Sequence, residues 1–209
     1  MRPELIPTDP VIIYLEIFFL LLTTISAFLI YFMTREIYQL TEHKGIKYFR
    51  RGFLFIAFAN LGLLSTSLFM GLISKRFGFE FFVLLNLIGV GYLFASIYSN
   101  KIREYFIYLL TITVFLIGFI FRTRAFILLY SSVLIIALGV ISFMKLKTEK
   151  RKKHFSQIYI IYILIFSSWL FMLIGRVFDD IYTQTRLYND IITCMIFLYI
   201  LYLTSKKLK

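Results

Sequence analysis

The sequence predicts an all-α polytopic integral membrane protein with seven transmembrane helices, its N-terminus outside and its C-terminus in the cytoplasm. Three observations lead there. Hydrophobic residues make up 60% of the 209 and charged residues only 16%, against roughly a quarter charged in ordinary soluble domains. The apolar residues come in runs about as long as the ~20 residues that cross a bilayer. Lysine and arginine are distributed unequally between alternate gaps.

The runs are 11–33, 52–73, 81–99, 105–121, 125–144, 155–174 and 187–204. Read as one helix, 105–144 would be about 60 Å long, twice the hydrocarbon thickness. Arg122-Thr123-Arg124 therefore divides it into two spans. The seventh run carries Asp190 near its start, which sets its first turn at the interface. All three prolines, Pro3, Pro7 and Pro10, precede the first run, so no proline kink is expected in any span. The first ten residues lack a basic n-region, and no small-residue cleavage site follows, so no cleavable signal is expected. The whole forms one domain, 1–209, with short loops and no clear internal repeat.

Of 23 Lys and Arg, sixteen fall in the alternate gaps that begin after the first run, and seven in the opposite set. Cytoplasmic loops carry the excess of Lys and Arg, so the first set is cytoplasmic. An odd number of spans requires opposite sides for the two ends, which agrees. The location expected is the cell membrane, multi-pass.

The polar stretch TREIYQLTEHKGIKYFRR, 34–51, interrupts this pattern on the cytoplasmic side. The first helix is expected to continue past the bilayer through REIYQLTE, with Gly45 supplying a left-handed stop. The second helix then begins near IKYFRR. Tyr38, Tyr48 and Phe49 suit the depth of interfacial aromatics. The segment EIYQLTEHKGIKYFRRGFLFIAF, 36–58, resembles the first cytoplasmic loop of uncharacterised prokaryotic, mainly archaeal, seven-helix membrane proteins. Multi-span sensor modules of histidine kinases have a similar basic first loop. The resemblance covers about a tenth of the chain and implies no chemistry or site residues. These 209 residues contain no kinase or other output domain.

Ionisable groups inside spans are expensive and are functional candidates by default. Glu16 lies about a turn and a half into the first span. Arg176 and Asp190 lie near the outer ends of the sixth and seventh. By depth, Asn86 and Ser131 belong to the same outer half. Glu16, Asn86, Ser131, Arg176 and Asp190 are thus expected at one membrane level, where they would line a ligand-binding pocket open to the outside. The competing reading is a structural ion pair with Arg176 snorkelling to the headgroups.

The remaining features point to packing or solvation. Asp179-Asp180 is too small a set of oxygen ligands for a divalent cation. Asn60, Ser65, Thr66 and Ser67 suit hydrogen bonds between helices, and Gly89 and Gly91 suit close helix approach. His43 and His154 flank the membrane rather than enter it, which excludes a buried bis-histidine haem. A Schiff-base lysine, the mark of a retinal protein, is missing from the last run. Cys194 has no histidine or lysine near it in sequence and reads as an inert packing residue. No catalytic residue, metal site or cofactor is expected.

Net charge is +12, but topology accounts for where it lies, so nucleic acid is not an expected partner. Anionic lipid on the cytoplasmic face is, at about 1 kcal/mol per basic residue near the surface. The surface expected to meet lipid or a protein partner comprises Lys44, Lys47, Arg50, Arg51, Lys150, Arg151, Lys152 and Lys153. The function expected is a non-enzymatic receptor- or sensor-like module acting through partner proteins. The alternatives are a small-molecule or ion transporter, or a structural subunit of a larger membrane complex.

Overall fold

The chain is all-α in the computed structural model, whose described residues are 10–69, 72–97, 105, 107–109, 111–113, 116, 132–133, 135–144, 159–168 and 185–206. Helix α1 spans Pro10–Thr41, α2 Lys44–Phe69 and α3 Leu72–Ile97; a last helix spans Thr185–Ser205. Shorter helical segments occupy Ile135–Met144 and Tyr159–Ser168. Among the described residues no strand occurs. Val11–Thr41 and Leu187–Ser205 are long and apolar enough to cross a membrane.

Helix α1 is 32 residues long, about 48 Å, because nothing in REIYQLTE opposes a helix: the run has no glycine or proline, and charges end a bilayer span without ending a helix. The left-handed stop falls on Glu42, with φ 47°, and not on Gly45 as expected. The Glu42 amide donates to the Tyr38 carbonyl at 2.8 Å, closing the last turn. No described glycine has a positive φ.

His43 opens α2. Its carbonyl accepts the amides of Ile46 at 3.0 Å and Lys47 at 3.2 Å, and its Nδ1 accepts the Gly45 amide at 3.1 Å. The imidazole performs the N-cap task usual for Ser, Asn or Asp. The polar stretch 34–51 therefore holds two non-helical residues, Glu42 and His43. Its lysines and arginines ride on helices.

Helices α2 and α3 cross backbone to backbone. A Cβ on Gly52 would lie 3.0 Å from the Gly89 carbonyl oxygen, and one on Gly89 3.0 Å from that of Gly52. Seven residues before Gly52 on α2, a Cβ on Gly45 would lie 2.9 Å from the Ser96 carbonyl, seven beyond Gly89. Glycine at 45 is thus required by close approach rather than by φ. Two helices that share a heptad of contacts keep one face together over their length. Close van der Waals contact along this seam helps hold the two helices together.

The charged stretch ISKRFGFE, 73–80, was expected partly as an outer loop but belongs to α3, which begins nine residues ahead of the expected 81. Lys, Arg and Glu are good helix formers, so the helix runs through a stretch whose charge interrupts the apolar run.

The main core joins Ala27 and Ile30 of α1, Phe49, Phe53 and Ile56 of α2, Leu93 of α3, Tyr162 and Ile165 of Tyr159–Ser168, and Phe197 and Ile200 of the last helix. Hydroxyls of α1 inside it are satisfied locally. Thr23, Thr24, Ser26 and Thr34 each donate to the carbonyl four residues back, at 2.7–2.8 Å. None leaves an unpaired polar group in an apolar setting, which would cost a few kcal/mol.

Candidate functional site

The expected pocket requires α1 and the last helix to face each other through Glu16 and Asp190. Thr23 and Cys194 share a side-chain hydrogen bond, and both are buried. Residues after Thr23 (Ala27, Ile30) and residues after Cys194 (Phe197, Ile200, Leu203) join one cluster with Phe49 and Phe53 in the first half of α2. The two helices therefore run in the same direction.

Glu16 precedes Thr23 by seven residues and Asp190 precedes Cys194 by four. At 3.6 residues per turn both carboxylates lie on the faces that meet at Thr23–Cys194, and their depths differ by only about 4–5 Å. Both are half-buried, and neither is free: each has an interaction partner. Arg176, expected to pair with Glu16, lies outside the described residues, as do Ser131, Asp179, Asp180 and His154.

Asn86 does not join them. Gly45 lies opposite Ser96, Gly52 opposite Gly89, and Gly62 opposite Phe81, which puts Asn86 beside Phe55 of α2. Phe28 packs edge-on against Phe58 at 5.6 Å, which puts Phe55 level with Tyr31 of α1. Asn86 is then fifteen residues, about 22 Å, below Glu16 along the bundle. The difference for Asn86 arises because α3 begins at Leu72, nine residues before the apolar run that starts at 81.

The other end of the bundle carries a cluster that sequence reasoning missed. Arg50 places its guanidinium over two rings of α1, Tyr31 at 4.8 Å and Tyr38 at 5.6 Å. Its Nε donates to the Tyr31 carbonyl at 3.4 Å. Arg51, one residue on, turns instead toward α3 and lies 5.9 Å from the Tyr92 ring.

Tyr92 is fully buried, stacked on Phe55 at 5.5 Å, and its hydroxyl hydrogen-bonds that of Tyr108 at 2.7 Å. Ser96 and Tyr162 share a further hydroxyl bond. The signal available was the heptad separation of Tyr31 and Tyr38, opposite an Arg-Arg pair.

Of the expected lipid- or partner-facing cations, Lys44 is exposed, and Lys47, Arg50 and Arg51 are half-buried. Lys150, Arg151, Lys152 and Lys153 lie outside the described residues. Among the described residues no three His, Cys, Asp or Glu side chains gather to hold a metal ion. Two buried hydroxyls among them, Thr111 and Ser142, have no hydrogen-bond partner.

Comparison with family models, curated proteins and solved structures returns no match. The class defined so far is an α-helical protein with two helices fit to cross a membrane.

Proposed function

We infer that the chain is a seven-span, multi-pass protein of the cell membrane, N-terminus outside, acting as a non-enzymatic receptor- or sensor-like module. Its ligand is received at the outer end, and its signal leaves through a partner at the basic cytoplasmic end. One observation carries this reading: Glu16 and Asp190 lie on facing helix surfaces at nearly one depth. Acidic groups inside apolar spans are retained where they do something, because each costs free energy to insert.

A transporter would also need polar groups continuing toward the cytoplasm. Along α1 the buried hydroxyls below Glu16 each donate their proton within their own helix, which favours a receptor over a conduit.

The test is cysteine accessibility in a Cys194→Ala background. Glu16→Cys and Asp190→Cys should react with a membrane-impermeant thiol reagent applied outside intact cells, and not with reagent confined to the cytoplasmic face. Reaction from the cytoplasmic face alone would reverse the orientation. Failure to react from either face would remove the outer site and leave the structural-subunit reading in its place.

A further inference from the structure

The Arg50 cluster has the makings of a headgroup site. Its guanidinium is held in place by two tyrosine rings and one carbonyl, the rings attracting the cation through their faces. Among the described residues the planar fork spends one of its five N–H donors,. Lys47 is three residues before Arg50, hence on the same face of α2. Arg35, exposed, follows Tyr31 by four residues and lies on the same face of α1. Cations here outnumber acids: five Lys and Arg against Glu36 and Glu42 within 34–51. They also crowd the first two turns of α2, where the helix dipole already favours an anion.

What decides the source of that anion is the surface above it. From Lys47 and Arg50 the same stripe of α2 continues through Leu54, Phe58 and Leu61. Phe58 and Leu61 are 44% and 42% exposed. A soluble anion has no use for that apolar strip, whereas a lipid tail fits it.

We propose that a cytoplasmic-leaflet anionic phospholipid binds in the α1–α2 groove, its phosphate on Arg50, Lys47 and Arg35 and its acyl chain along Leu54, Phe58 and Leu61. Arg suits this task because its fork matches two phosphate oxygens at once. The inference rests on the membrane reading above.

The full-length chain, purified in mild detergent, is offered equal phosphatidylglycerol and phosphatidylcholine and weighed by native mass spectrometry. Phosphatidylglycerol should be retained in preference, and Arg50→Gln should lower its occupancy about tenfold, the loss expected for one charged hydrogen-bonded contact. Lys206→Gln, an exposed cation at the end of the last helix, should leave occupancy unchanged, and Arg50→Lys should fall between.

Equal retention of the two lipids by the wild-type chain overturns the proposal, and needs no variant to fold. So does displacement of the lipid by excess inorganic phosphate, which would mark a free-anion site. A chain that stays soluble without detergent overturns the membrane reading itself; an embedded chain with no lipid preference overturns this inference alone.

Discussion

Alanine at each of three α2–α3 glycines should divide them by sign. A methyl on Gly52 would sit 2.8 Å from Leu93 Cγ and Cδ2 and 3.0 Å from the Gly89 carbonyl. One on Gly89 would sit 2.9 Å from Ile56 Cγ1 and 3.3 Å from the Ile56 amide nitrogen. Leu93 is fully buried and Ile56 nearly so, and a backbone atom cannot rotate away. At Gly62 the nearest atom is Phe81 Cδ1 at 3.3 Å, and that ring is 47% exposed, so it can swing aside.

Replacing glycine by alanine inside a helix contributes about 0.8–1 kcal/mol of propensity. Overpacking a tight contact costs about 1–3 kcal/mol. Gly62→Ala should therefore stabilise by up to ~1 kcal/mol, while Gly52→Ala and Gly89→Ala each destabilise by about 1 kcal/mol. The double variant should cost less than the sum of the two, because the first methyl already parts the helices where the second would clash. Reversible unfolding in mixed micelles, titrated with sodium dodecyl sulfate, reads all four. If Gly52→Ala stabilises as Gly62→Ala does, the backbones do not meet there and the register that positions Asn86 is wrong.

The hairpin turn between α1 and α2 should respond in opposite senses. Glu42→Gly, which relieves a left-handed non-glycine residue, should stabilise by about 1 kcal/mol, and His43→Ala, which removes the cap, should cost about 1 kcal/mol, with His43→Asn restoring most of it. Both are read in the same titration. Tyr92→Phe should destabilise by about 1 kcal/mol by stranding the Tyr108 hydroxyl, and adding Tyr108→Phe should recover part of the loss, since removing both hydroxyls strands neither on the other,.

Composition and run lengths made the helical class legible, and the charge-tolerant extension of α1 could be read from REIYQLTE. Gly89 could be read as a packing residue because it stands in an apolar span beside Gly91. Gly52 could not: its partner is 37 residues away, and only the register pairs them. Depth was the weak point. Counting inward from apparent span ends placed Asn86 correctly only if those ends were helix ends, and α3 begins earlier than its apolar part. Glu16 and Asp190 were legible as acids within apolar runs, but their facing arrangement runs through Thr23 and Cys194, two residues with no chemistry to advertise in the sequence.

The two helix pairs are held by different physics, and this bears on how one end of the bundle could influence the other. Helix α2 is locked to α3 by glycine contacts at Gly45, Gly52 and Gly89, where any axial slip drives a carbonyl into a side chain. Helix α1 meets the last helix through one apolar cluster, with Ala27 and Ile30 on one side and Phe197 and Ile200 on the other, and none of its residues from 11 to 22 is fully buried. A shift of α1 meets no glycine-to-carbonyl contact of the kind that fixes α3 on α2 among the described residues. Yet α1 carries both Glu16 at one end and the Tyr31–Tyr38 rings under Arg50 at the other. A ligand shifts an equilibrium only through unequal contacts with its two states; the element whose displacement changes both ends at least expense is α1.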